Sequence, residues 1–346
     1  MRAINKILSN GNVSDISTYF FILCLVFIFT FNSYSQVKIA EIGDFTLENS
    51  QVIKDCKIGY MTFGKLNPDK SNAILFPTWY GGNSESIVSY VGENEMLDST
   101  KYFVIIVDAF GDGVSSSPSN SKEQPGVEFP EFSIKDMVNA QHHFLTENME
   151  INHLYAITGI SMGGMQTYQW MASYPDFMDK LAPIFGSPIL SSYDKMIYEI
   201  FKKIMNLCDS GDCKEIAETT LMLEYLLGQS PEYRANETTP ESFTLFIDEV
   251  YKEASSYKVL DLYSQMKAIS NHGVCTENNL QNVTESFKGK MLVTIANQDH
   301  LVLPNSSKII AQKLNAELFE IDSDCGHYSF WCEKDELSEK VRSFLQ

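Results

Sequence analysis

The sequence predicts an α/β fold: a mostly parallel, doubly wound sheet with a helical cap inserted before its last strands. Three observations carry this. Short apolar runs rich in Ile, Val, Leu and Phe alternate with amphipathic helical patterns along the chain. The alternation stops between Pro188 and Lys288, where helix signals occur without a convincing strand. A serine sits among small residues where one apolar run meets a helical pattern, in Gly159-Ile160-Ser161-Met162-Gly163.

At the N-terminus, Arg2 and Lys6 precede Tyr19–Phe31, thirteen residues with almost no polarity, and Ser33 and Ser35 follow in a small-x-small pattern. A basic start, a short apolar run and small residues at a cut site form the pattern of a secretory signal. Thirteen residues are too few to span a bilayer comfortably as a helix. Residues 1–35 are therefore expected to be cleaved near Ser35, with export to the periplasm or the exterior and no membrane span in the processed chain. The rival is an uncleaved signal anchor.

Two half-exposed strands come next, Gly43–Ser50 and Cys56–Leu66, as an antiparallel edge. Buried strands are predicted at Asn72–Pro77, Tyr102–Phe110, Leu154–Gly159, Leu181–Gly186, Lys290–Ala296 and Ala316–Ile321, because their apolar residues run on without alternation, as in strands covered on both faces. Helices are predicted at Ile134–Glu147, Gly164–Tyr174, Ser306–Leu314 and Glu333–Leu345. The core thus comprises 36–187 and 289–346. The cap, 188–288, carries four helical patterns over 191–207, 213–228, 240–257 and 259–269.

Acidic side chains number 45 against 26 basic ones, a net charge of −19. A field of that sign repels phosphate, which excludes nucleic acid and anionic membrane surfaces as partners. Six of the seven cysteines lie beyond the signal segment. In an exported chain the close pairs Cys208/Cys213 and Cys325/Cys332 are the plausible disulfides, with buried free thiols the alternative. No Cys/His spacing suggests a metal site, and no cofactor is expected.

The serine segment is where the chemistry concentrates. A Gly-x-Ser-x-Gly between a buried strand and a helix is a nucleophile elbow, a strained turn that projects its serine above the sheet. Ser161 is the candidate nucleophile. It needs a base, and the base an orienting acid, following in that order as acid then His on loops after later strands. Asp299 lies just past Lys290–Ala296, and His327 just past Ala316–Ile321. Gly326 opens a tight turn that lets the ring reach back. His300 has no strand end to deliver it, Asp322 and Asp324 precede His327 too closely to orient it, His142 and His143 are placed on the surface or at the core edge, and His153 precedes the elbow strand at its far end. His272, at the end of the cap, is a candidate substrate contact. The oxyanion donors are expected to be the backbone N–H of Met162 and that of Trp79, in the loop "PTWYGG", with Tyr80 next to it as a substrate contact.

The segments 157–181, 129–145 and 102–119, with those around Asp299 and His327, resemble the homoserine O-acetyltransferases and their α/β-hydrolase relatives. The likeness covers nearly all of the processed chain and is weakest in the first half of the cap. It implies the α/β-hydrolase fold with a helical lid, a Ser161–Asp299–His327 triad working through an acyl-enzyme, Trp79 completing the oxyanion hole, and a homodimer formed through the cap. There are departures. Tyr328 stands where the acetyltransferases carry an acid that helps hold the amino acid, Ile160 replaces a glycine of the elbow, and the loop before Gly81 lacks the usual histidine lead. Export would also separate the enzyme from cytosolic acetyl-CoA. These points favour hydrolysis of a small-molecule acyl ester, with Tyr328 a substrate contact. The alternatives are true O-acetyl transfer to homoserine or another alcohol, and a catalytically inactive binding protein on the same fold.

Overall fold

The computed structural model describes residues 36–208, 213–274 and 280–346; the predicted signal segment lies outside the described residues. Eight strands form one sheet: β1 (Lys38–Thr46), β2 (Val52–Phe63), β3 (Ala73–Pro77), β4 (Phe103–Val107), β5 (Leu154–Ile160), β6 (Met178–Ile184), β7 (Lys290–Ala296) and β8 (Glu317–Ile321). Their spatial order is β1-β2-β4-β3-β5-β6-β7-β8. β1 pairs antiparallel with β2, and β2 with β4; every later pairing is parallel. The half-exposed edge expected from the sequence is therefore the β1–β2 hairpin.

The inner strands show why their runs lack alternation. In β3, Ala73 and Leu75 belong to the core on one side of the sheet, and Ile74 and Phe76 to the core on the other. β4 splits likewise, Ile105 and Val107 against Val104 and Ile106. Helices α1 (Ile134–His143) and α2 (Met162–Ser173) cover the first side through Met137, Val138, Met165 and Trp170. The C-terminal helix α10 (Lys334–Leu345) covers the second through Leu337, Val341 and Leu345. Fully burying each such side chain contributes roughly 1.5–3 kcal/mol.

Strand ends differ from expectation by a few residues. β4 stops at Val107 although Asp108 N–H still reaches the Gly59 carbonyl of β2 at 2.9 Å, because the return bond is intercepted: Ser115 Oγ accepts from Gly59 N–H at 2.8 Å and donates to the Asp108 carbonyl at 2.7 Å, and Ala109 N–H turns to Thr78 Oγ1 at 3.0 Å. Between β6 and β7 lie α3 (Ser192–Met205), α4 (Lys214–Gly228), α5 (Pro231–Glu237), α6 (Phe243–Ala254), α7 (Val259–Ser270) and α8 (Leu280–Ser286). α9 (Asn305–Leu314) follows β7. The sequence predicted four of the six intervening helices. α5 is one of the two without a predicted pattern, and its start signal is short: Ser230 caps it and Pro231 opens it. Disulfides join Cys208 to Cys213 and Cys325 to Cys332, while Cys56 is a free buried thiol, raised to about 12 by burial.

Candidate active site

β5 runs into Ser161, and α2 starts at the next residue. Ser161 holds φ 57° and ψ −118°, a conformation that costs a non-glycine residue energy and aims its side chain out of the turn. Its N–H donates to the Ile184 carbonyl of β6 at 2.9 Å, and its carbonyl accepts from Met165 N–H at 3.0 Å. The flanking glycines are required by contact. A Cβ on Gly159 would lie 2.3 Å from the Gly163 carbonyl, and one on Gly163 would lie 2.5 Å from the Pro77 carbonyl.

The structure brings the three predicted side chains together. His327 Nε2 is 2.8 Å from Ser161 Oγ, and His327 Nδ1 is 2.6 Å from Asp299 Oδ2. Asp299 and His327 are both buried. The other oxygen of Asp299, Oδ1, accepts from the N–H groups of Leu301 at 2.9 Å and Val302 at 2.8 Å. The carboxylate is thus oriented from behind by two backbone donors and faces the imidazole. His327 stands in the stretch that the Cys325–Cys332 disulfide closes, and Phe330 packs edge-on to its ring.

The expected oxyanion donors sit where β3 meets the elbow. Met162 is the first residue of α2, so its N–H has no acceptor within the helix. Thr78 and the loop after it are fixed from several sides. Thr78 N–H donates to Val107, Gln166 Nε2 donates to the Thr78 carbonyl at 3.1 Å, and Gly81 N–H donates to Gln265 Oε1 at 2.9 Å. Gln265 Nε2 donates in turn to the Phe110 carbonyl, and Gln166 Oε1 accepts from Gln141 at 2.6 Å. Trp79 packs against Tyr90, Phe330 and Trp331. Sequence reasoning missed Gln166 and Gln265, although Gln166 stands one turn past the nucleophile.

Ser161 and His327 open into a cavity of about 720 Å³ between sheet and cap, bordered also by Trp79, Tyr80, Met162 and Tyr328. Tyr80 is partly buried against the core, and desolvation pushes its phenol well up. The Tyr328 hydroxyl donates to Glu224 Oε1 at 3.2 Å, and Glu224, on cap helix α4, faces the same cavity. Burial above all holds the Glu224 carboxyl up at about 7, against the lowering effect of His327 and Tyr328. No sequence signal marked Glu224, one of several acids on an amphipathic helix.

His272 is a correction. Its ring is 3.0 Å from the Ser187 carbonyl at the base of the cap, and burial lowers it to about 4. It borders a separate surface cleft with Ser173 and Tyr174 and does not line the cavity of Ser161. His300 is exposed, His142 stacks on Tyr174, and His153 pairs with Asp179 at the surface.

Comparisons with known proteins place relatives around this geometry. A family described as having the alpha/beta hydrolase fold matches residues 73–193. The chain is 35% identical over 235 residues to an ethyl acetate hydrolase of Pseudomonas veronii, covering 64% of this chain and 67% of that one. It is 30% identical over 357 residues to a homoserine O-acetyltransferase of Methanohalobium evestigatum, covering 87% of this chain and 71% of that one. The solved structure of an acetylester hydrolase from Corynebacterium glutamicum is similar with a TM-score of 0.81 at 28% identity, over 90% of this chain and 95% of that one.

Proposed function

The chain belongs to the α/β-hydrolase family, in its homoserine O-acetyltransferase-like group, as an enzyme of ester hydrolysis or acyl transfer, and from that premise we propose that it hydrolyses short-chain esters of small alcohols. The single observation that carries the proposal is His327 bonded at once to Ser161 Oγ and Asp299 at the floor of a cavity. His327 Nε2 takes the Ser161 proton as Oγ bonds to the acyl carbon. The N–H groups of Met162 and Trp79 hold the resulting oxyanion, and one such donor contributes about 3 kcal/mol of barrier lowering. Collapse breaks the bond to the alcohol oxygen, which leaves with the proton from His327. A water then gives its proton to His327, attacks the acyl-enzyme and releases the acid, and Ser161 recovers its proton.

Relatives whose names describe ethyl acetate and acetyl-ester hydrolysis support a short acyl group and water as acceptor. Tyr328 supports it too, because the residue that follows the histidine is a phenol where the acetyltransferases carry an acid. Transfer is the second reading, favoured by the acetyltransferase relatives. The deciding experiment gives the purified chain an acetyl aryl ester in one arm and acetyl-CoA with homoserine in the other. Ester turnover lost in Ser161→Ala is the expected result. Robust homoserine-dependent thiol release, without ester turnover, would replace hydrolysis by transfer.

We propose export as the setting, on the leader-like first 35 residues and on two disulfides, which persist in oxidising compartments. Fractionation of cells making the full chain checks it: an unprocessed cytosolic product contradicts export. We also propose a homodimer through the cap. Tyr193, Met196 and Ile200 form an exposed apolar stripe at helical spacing on α3. A monomer at all concentrations in sedimentation removes that proposal.

A further inference from the structure

We propose that Glu224 and the aromatic rings beside it form an alcohol-side subsite for a positive charge, so that the enzyme prefers esters of small ammonium alcohols. This rests on the serine-esterase reading above and adds the class of its leaving group.

Geometry fixes the side. The departing oxygen has to receive its proton from His327 Nε2, so the alcohol lies on the His327 side of the cavity. Tyr328 is the next residue, and its hydroxyl ties down Glu224 Oε1. Glu224 comes from the cap and lines the same cavity as Ser161, yet among the described residues no lysine or arginine pairs with it. A carboxyl in that position lacks a counter-charge, and a cationic ligand supplies one.

The surrounding rings suit the same ligand. Tyr328 stacks on Trp331 at 5.3 Å and on Tyr225 at 5.5 Å between ring centroids, and Tyr257 lines the wall alongside. Aromatic faces attract ammonium groups, quaternary ones included. Two further carboxyls, Glu253 and Asp261, stand on the same lining. Glu253 at the rim accepts from the Tyr225 and Tyr257 hydroxyls. Asp261 accepts from Ser119. Against them, Lys258 is the lone lysine or arginine on the lining among the described residues, exposed beside Asp261. An alcohol bearing carboxylate or phosphate meets repulsion here, and one bearing ammonium does not.

The groups that face Glu224 are His327 and Tyr328 from the catalytic loop, Tyr225 from its own helix, Glu253 and Tyr257 from the α6 end of the cap, and Tyr80 from the oxyanion loop. With its carboxyl at about 7, Glu224 gains charge as pH rises through neutrality, and attraction for a cation grows with it.

Acetylcholine is the probe, compared with its neutral isostere in which a tert-butyl group replaces trimethylammonium. The kcat/KM ratio of the cationic to the neutral ester cancels the titration of His327, which both share. We expect a ratio of about ten or more above neutral pH, falling as pH drops below about 7, and collapsing towards one in Glu224→Gln. A wild-type ratio at or below one, or a ratio unchanged in Glu224→Gln, overturns the subsite. The wild-type ratio and its pH profile need no variant, so a misfolded Glu224→Gln leaves the test intact. An acetyl aryl ester in parallel separates the two failures. Aryl ester cleaved without cationic preference removes the subsite alone; no ester cleaved removes the hydrolase reading and the subsite with it.

Discussion

Replacing Asp299 with Asn is the sharpest probe of the triad, because the backbone behind it dictates which way the amide turns. Oδ1 of Asp299 accepts two amide protons, from Leu301 and Val302, and Oδ2 faces His327 Nδ1 at 2.6 Å. In Asp299→Asn the amide oxygen keeps the two backbone bonds, and the NH2 faces the imidazole. The reverse rotamer leaves two buried N–H groups opposed by a donor, about 1–3 kcal/mol for each, so the first orientation wins by several kcal/mol. His327 Nδ1 must then accept, its ring proton moves to Nε2, and Nε2 can no longer take the Ser161 proton. The expected fall in kcat is about ten-thousand-fold, as for a triad histidine locked in the wrong tautomer. The assay is hydrolysis of an acetyl aryl ester, with thermal unfolding run beside it. A folded variant that keeps kcat within about tenfold of wild type would falsify the assignment of Asp299 as the orienting acid.

Other consequences can be measured on the same preparations. Gln166→Ala removes the donor that holds the Thr78 carbonyl, and kcat should drop about tenfold with KM little changed; the reverse split would mean that Gln166 acts on binding. Gly159→Ala drives a methyl into the Gly163 carbonyl and should lower stability by about 2 kcal/mol or more in a denaturant melt; a neutral outcome denies the close approach at the elbow. Breaking Cys325–Cys332 with Cys332→Ser should lose about 2–3 kcal/mol of stability and most of the activity, since the closed loop carries His327; full activity in the variant denies a positioning role. Asp108 and Asp112 each have one buried, unpartnered oxygen, and desolvation raises both. A carboxyl raised in the folded state favours folding at low pH and opposes it as pH climbs above the ordinary carboxylate range. Asp112→Asn should therefore raise the melting temperature at about pH 8 and leave it unchanged near pH 4; a lower melting temperature at the higher pH contradicts this sign.

The sheet was legible because its inner strands are buried on both faces, and such strands leave uninterrupted apolar runs like Ala73–Pro77. Their ends were less legible. Whether β4 stops at Val107 depends on Ser115 and Thr78, whose hydroxyls take the Asp108 carbonyl and the Ala109 amide out of the ladder. Ser161, Asp299 and His327 could be read because each follows a strand, and strand ends on one edge of a parallel sheet converge. Glu224 could not, since nothing in the pattern of α4 says which of its acids the docked cap turns inward. His272 failed for the same reason in reverse: its position at the end of the cap suggested the cavity, but its ring is tied to Ser187 at the cap's base.

Asp194 joins the lid to the catalytic machinery. One of its oxygens closes the N-terminus of α3 by accepting from Ser191, and the other accepts from Leu303 N–H, four residues beyond Asp299. The first cap helix and the acid loop are thereby fastened as one rigid piece. Anyone exchanging this cap for a foreign one to change substrate range has to carry over a carboxylate at that helix start, or else leave an orphaned amide next door to the triad.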